Sequence, residues 1–219
     1  MAGWSAENAT NAYLRAIKMG KRAKQPEAAE FISALAAGTN ARLIVVACAD
    51  AADRTTLVAL VAAAHQTGGQ VVCILRGAKE LQLSKENLGE IGADHIKFAV
   101  GNAENLLGSE YGEADCIVID CRIKNCERLL KTAKGVGKNV MVLGYNAFMM
   151  GRQLEFDGMH LLPIGDGILV SRGDESDNKK DDRRFGSGKR SRWVVKIDKA
   201  TGEEHVFRVR ASQGNKSFC

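Results

Sequence analysis

The strongest constraint in this chain is a rhythm of short apolar runs. LIVVAC from Leu43, VVCIL from Val71, IKFAV from Ile96, CIVID from Cys116 and VMVL from Val140 are each bounded by polar residues or glycine. Most are apolar on consecutive positions, which suits strands buried on both faces of a parallel sheet. Helical segments lie between them. In Asn125–Lys134, the residues Cys126, Leu129, Leu130 and Ala133 fall on one stripe. Thr55–Gln66 is apolar nearly all round and predicts a well-buried helix. This alternation specifies an α/β fold: a Rossmann-like, doubly wound and mostly parallel sheet, with ligands expected beyond the carboxyl ends of its strands.

The flanks are different in character. Residues 1–38 read as two N-terminal helices. In the first, Ser5 is the N-cap, Glu7 sits in the first turn, and Ala9, Tyr13, Ala16, Ile17 and Gly20 line one face. In the second, Pro26 suits the first helical position, Ala28, Phe31, Ile32, Leu35 and Ala36 repeat at helical spacing, and Gly38 is the stop. The sheet domain spans 39–172 and closes with MHLLPIGDGILVSR, two strands around a Gly-Asp-Gly turn. Residues 173–192 mix dense charge with Gly and Ser, too polar to bury themselves, and are expected to form a mobile loop. Residues 193–210 alternate across a turn ending at Gly202. They predict a β-hairpin packed on the same domain, with Trp193, Val195 and Ile197 on one face and 211–219 as a tail.

Composition narrows the function classes. A net charge of +5, with basic residues concentrated late in the chain, admits an acidic or nucleic-acid partner without requiring one. No apolar run approaches the ~18 residues that cross a bilayer. The opening MAGWSAENAT lacks the basic and apolar parts of a signal peptide. The expected location is therefore the cytoplasm, with the nucleus also open to it and no membrane partner. Of the six cysteines, Cys48, Cys73 and Cys116 sit inside apolar runs, where a reduced thiol behaves as a small hydrophobe. Cys116 and Cys121 lie an odd number of residues apart, so a strand would point them to opposite faces, and Cys126 belongs to the next helix. With no CxxC pair, structural thiols are expected in place of a zinc site.

The element order, together with VGNAENLL after the third strand, ADCIVIDCRIKN around the fourth and LLPIGDGILVSR at the end, resembles the class I S-adenosylmethionine-dependent methyltransferases. The likeness is to the cation-dependent, caffeoyl-CoA-type O-methyltransferases, over roughly Phe31–Arg172. More closely, the whole chain resembles a plant family of unknown function related to those enzymes, which also carries the SRWVVKIDKATGEEHVF segment. The resemblance implies candidate positions for S-adenosylmethionine and for a divalent cation, and it allows a homodimer.

Several of those positions have changed. The first turn, where the resemblance implies glycines, reads Ala49, Asp50, Ala51, Ala52, Asp53. Asp53 before Arg54, Thr55 and Thr56 is either an ordinary helix N-cap or part of a ligand loop that uses alanines. Two carboxylates at this mouth would repel an anionic group. Arg76 stands where an acid should accept ribose hydroxyls, and an arginine has no acceptor. It is either a solvated loop residue or a grip for a phosphate or carboxylate, while Glu80 could reach back only if its loop folds over. Asn102 keeps a carbonyl acceptor for an adenine amino group but not the implied charge. For the cation, Asp120 and Asn146 match, but Tyr145 replaces the second carboxylate, which weakens a site for a hard cation. Asp120 can equally be a helix cap.

Three functions fit these residues. The leading expectation is a methyltransferase-like fold that no longer methylates, a pseudoenzyme kept for binding or regulation. The second is an active O-methyltransferase on a small acceptor. The third is RNA or other nucleic-acid binding, or a protein partner, through Lys179, Lys180, Arg183, Arg184, Lys189, Arg190 and Arg192, although interleaved acids dilute that field.

Overall fold

The computed structural model describes residues 4–19, 28–89, 96–137, 139–150 and 158–171, with the backbone of 172, 191–197 and 204–210. Two compact units are present, Met1–Ser176 and Asp177–Cys219. The first contains a seven-stranded sheet. Its strands are β1 (Leu43–Ala47), β2 (Gln70–Leu75), β3 (Ile96–Val100), β4 (Cys116–Asp120), β5 (Met141–Tyr145), β6 (His160–Leu162) and β7 (Ile168–Arg172). Their spatial order is β3-β2-β1-β4-β5-β7-β6. The first five run parallel, β7 lies antiparallel on β5, and β6 lies antiparallel on β7. All five expected parallel strands form, and the Gly-Asp-Gly segment joins β6 to β7.

Apolar residues on consecutive positions serve two cores at once, because successive side chains leave a strand on opposite faces. Ile44, Val46, Cys116, Val118 and Leu143 face the helices α2 (Ala28–Gly38) and α3 (Arg54–Thr67). Val45, Ala47, Ile117, Ile119 and Val142 face α5 (Ala103–Gly108) and α6 (Cys126–Gly135). Cys116 belongs to the first core, and Cys121 and Cys126 to the second, as their odd spacing required. In β3 the outcome differs from a doubly buried strand. It lies at the sheet edge with a neighbour on one side only, and Val100 is 49% exposed.

Helix α3 is buried along Thr56–Ala64, as its uniform apolarity predicted. It starts at Asp53, an extended residue whose carboxylate accepts the Thr56 N–H at 2.8 Å, and it ends at Gly68 in the left-handed conformation (φ 68°). Helix α1 (Ala6–Met19) begins as expected, with Ser5 Oγ accepting the Asn8 N–H at 3.1 Å. Its buried stripe is rotated from expectation. Ala9, Ala12 and Ala16 face inward, whereas Ile17 is exposed. The cause is steric: Ala16, Ala29, Ala59 and Ala62 meet where α1, α2 and α3 pack together, and only small residues allow helices that close. Helix α2 ends at Gly38 as expected, although this glycine is not the left-handed residue. The left-handed residue after α2 is Asn40 (φ 55°), while Gly38 lies under the Trp4 indole, where a β-carbon would clash. Pro26 and Gly20 lie outside the described residues.

The second unit contains β8 (Ser191–Ile197) paired antiparallel with β9 (Glu204–Arg210), with Trp193 opposite Arg208 and Val195 opposite Val206. The hairpin therefore forms. It starts two residues earlier than expected, because Ser191 and Arg192 pair with Arg210 and Val209. The charged segment 173–190, the turn 198–203 and the tail lie outside the described residues.

Candidate functional site

Strand order reverses between β1 and β4, and the chain leaves those two strands toward opposite faces of the sheet. In folds of this type the ligand crevice opens at that switch point. Five chain segments converge on it: the turn after β1, Arg76, Asn102, the loop after β4, and Tyr145–Asn146.

The turn after β1 satisfies its own polar groups. Asp53 caps α3 through Thr56, accepting from both its N–H (2.8 Å) and its hydroxyl (2.9 Å). The Ala52 N–H donates at 2.8 Å to Ser84 Oγ, which in turn donates to the Glu80 carbonyl at 2.6 Å. Ser84 belongs to α4 (Ala78–Leu88) and is fully buried. Arg76 donates to the Ala49 carbonyl and approaches Asp50 Oδ1 at 3.5 Å. Arg76 is solvated, with its side chain 62% exposed, and at the same time it ties the end of β2 to the first turn. Glu80 does not reach that turn. Its carboxylate folds back beside Gly77, at the start of its own helix, where it complements the helix dipole.

At the end of β3, Asn102 caps α5. Its Oδ1 accepts the N–H groups of Glu104 (2.9 Å) and Asn105 (3.2 Å), so the oxygen expected to meet an adenine amino group is engaged within the chain. The cavity left between these loops is about 170 Å3, lined by Cys48, Ile74, Arg76, Asn102, Ile123 and Lys124 among others. Pockets that bury drug-sized ligands measure roughly 300–1,000 Å3. A larger, open groove of about 710 Å3 lies against α6, with Cys121, Cys126, Arg128, Lys131 and Met150 on its walls.

Asp120 is only 1% exposed and lies at the centre of a dense set of hydrogen bonds. Arg122 grips it through Nε, 3.1 Å from both carboxylate oxygens, and through Nη2, 2.7 Å from Oδ2. The Arg122 N–H adds a bond of 3.1 Å and Asn146 Nδ2 one of 2.9 Å, both to Oδ1. Burial by itself would raise the Asp120 carboxyl. The side-chain bonds from Arg122, then those from Asn146 and the Arg122 backbone, outweigh it and hold the group below its ordinary value. The same hydrogen bonds push the Arg122 guanidinium above its usual value against a smaller opposing effect of burial, and the charges of Asp120, Tyr145 and Asp50 add to the rise. Tyr145, buried beside this cluster, is also raised, first by burial and then by Cys48, Asp120 and Asp53. Asp120 is not the cap of α6: the capping position is Asn125, in the left-handed conformation (φ 62°).

Asp120 and Asn146 do come together, but not in a form that fits a divalent cation. A guanidinium covers both carboxylate oxygens, and the Asn146 amide points a donor, not an oxygen, at the carboxylate. No three His, Cys, Asp or Glu side chains converge to hold an ion among the described residues. The thiols likewise read as structural. Cys48, Cys73, Cys116, Cys121 and Cys126 are all free and buried, with Cys48 and Cys73 sulfurs 3.7 Å apart. The expected nucleic-acid residues Lys179, Lys180, Arg183, Arg184, Lys189 and Arg190 lie outside the described residues, as does the side chain of Arg192. No helix among the described residues is long and apolar enough to cross a membrane.

Sequence reasoning missed Arg122 and Ser84. Arg122 stands two residues after an acid that ends a strand, the spacing at which an Asp side chain bonds the following backbone. Ser84, in the helix that follows β2, carries no such local signal, because its partner Ala52 is 32 positions away.

The fold places the protein among methyltransferase-like structures. A Bacillus cereus O-methyltransferase in complex with SAH is 14% identical with a TM-score of 0.54, covering 77% of this chain and 90% of that one. The Podospora anserina methyltransferase PaMTH1, bound to SAH, is 17% identical with a TM-score of 0.53, covering 78% and 90%. The Streptomyces achromogenes O-methyltransferase TomG, in complex with SAM, is 14% identical with a TM-score of 0.50, covering 78% and 91%. At these identities the likeness is one of fold. The chain belongs to the family described as protein of unknown function (DUF1442), whose model matches residues 2–209. No curated protein matches it.

Proposed function

We propose that this protein uses the methyltransferase-like fold for binding or regulation and does not transfer methyl groups. One observation carries the reading: the polar groups around the switch-point crevice are engaged by the chain's own residues, and the cavity left between them is only about 170 Å3. Arg76 lies on the Ala49 carbonyl, Ser84 takes the Ala52 N–H, and Asn102 spends its oxygen on α5. A nucleoside entering here would have to break these bonds without finding a ribose acceptor at the end of β2. Leaving the buried Ala52 N–H unsatisfied costs about 1–3 kcal/mol, one to two powers of ten in affinity, while the solvated bonds of Arg76 and Asn102 are exchanged for water at smaller cost. The SAH- and SAM-bound structures of fold relatives favour a second reading, an active O-methyltransferase whose first turn rearranges around the cofactor. Titration calorimetry with S-adenosylmethionine separates the two. The proposal expects no saturable heat at micromolar concentrations, and a micromolar dissociation constant would overturn it.

A further inference from the structure

We propose that Arg122 is a cation built into the chain, standing at Asp120 and Asn146 in place of the divalent ion that the methyltransferase resemblance implies there. The geometry is that of a bound cation. Three guanidinium contacts of 2.7–3.1 Å reach both Asp120 oxygens, and Asn146 approaches the same carboxylate from the neighbouring strand at 2.9 Å. Asp120 and Asn146 sit at adjoining strand ends, since Asp120 pairs with Tyr145 in the sheet. The carboxylate is 1% exposed and the guanidinium side chain 42%, so the arginine lies over the acid on its solvent side. A hydrated ion cannot reach Asp120 without lifting it off.

The surrounding charge agrees. Asp50 lies near enough to act on Arg122, while Arg76, one of the other cations at this mouth with Lys124, is already paired with Asp50. Without Arg122 the cluster would hold a buried carboxylate with no cation over it and the Asn146 side chain beside it, whose amide can turn its oxygen inward. An uncompensated buried charge of this kind draws in a cation. A planar fork is suited to this replacement in a way that a lysine is not, because it meets both carboxylate oxygens at once. The ends of β4 and β5 are thereby fixed whatever the metal supply. This inference is independent of whether S-adenosylmethionine binds, and the calorimetry above does not bear on it.

The test uses manganese chloride against sodium chloride at matched ionic strength, read by thermal melting and by the electron paramagnetic resonance signal of free Mn2+. The wild-type protein is expected to show no saturable Mn2+ binding. Arg122→Ala is expected to gain it by roughly tenfold or more, because a full charge at contact distance is removed, and Arg122→Ala with Asp120→Asn is expected to lose it again. If Arg122→Ala does not fold, Arg122→Gln, whose amide can still donate to Asp120, is read in the same way. Wild-type binding of Mn2+ that disappears in Asp120→Asn would overturn the proposal. So would a folded, neutral Arg122 variant that gains no Mn2+ affinity.

Discussion

Replacing Asp120 by Asn keeps the side chain's shape and removes its charge. In the folded protein that carboxylate accepts from Arg122 Nε, Arg122 Nη2, the Arg122 N–H and Asn146 Nδ2. An amide in its place offers one oxygen and sets an NH2 against other donors. Losing the charge-assisted bonds removes about 1.5–3 kcal/mol each. Breaking a buried pair by removing one partner costs about 3–5 kcal/mol. Arg122 is partly solvated and recovers some of this in water, so the lower end applies: about 3 kcal/mol, or a fall of ~6–12 °C in Tm for a chain of this size. Substituting both partners, Asp120→Leu with Arg122→Met, leaves no orphaned charge and should restore most of the loss. Urea unfolding at neutral pH gives the free energies, and a double-mutant cycle gives the coupling. A pH series adds a second readout. The folded-state pKa of Asp120 lies below its unfolded value, so its contribution is fully present above the unfolded pKa and is lost as pH falls through the folded one. The wild type should therefore lose its advantage over Asp120→Asn on acidification below about pH 4. A neutral-pH cost under about 1 kcal/mol, the range of exposed ion pairs, would refute the reasoning.

Two further outcomes follow from local geometry. Asp53→Ala removes the cap of α3, including both bonds to Thr56, and should lower stability by about 1–2 kcal/mol without altering the m-value; a change below a few tenths would mean that the cap is dispensable. Cys73 and Cys116, both fully buried in the sheet, should resist maleimide in the native state at neutral pH. Burial, with Asp115 adding, pushes Cys116 up to about 12, and the hydrogen bond from Cys48, with burial, raises Cys73. Peptide mapping that finds fast labelling of either before unfolding would contradict their placement in the core.

The sheet was legible because its signal is dense and local. Five apolar runs, separated by helical segments, leave one economical arrangement, and all five became parallel strands. Alternation cannot tell a central strand from an edge one, so β3 read as more buried than it is. For α1, apolar periodicity pointed to Ile17, but the helix chose the side where alanines permit contact with α2 and α3. At the candidate site the sequence identified where the resemblance is broken, yet not what fills the gaps. Arg76 and Ser84 act through partners supplied by the fold, across 27 and 32 positions of chain, whereas Asn102 caps the helix that directly follows it. Asp120 could be read as a cap or a metal ligand because both roles call for a carboxylate at a strand end. Only the position of the Arg122 side chain distinguishes a third role.

The four alanines at the crossing of α1, α2 and α3 make mutational tolerance there one-sided. Nothing at that point can be trimmed except to glycine, and every other exchange adds volume where backbones nearly touch. Ala16, Ala29, Ala59 and Ala62 thus act as a spacer gauge that sets the distance between the helix pair and the rest of the domain. Grafting helices from a relative with bulkier crossings would force the layers apart before any single contact was lost.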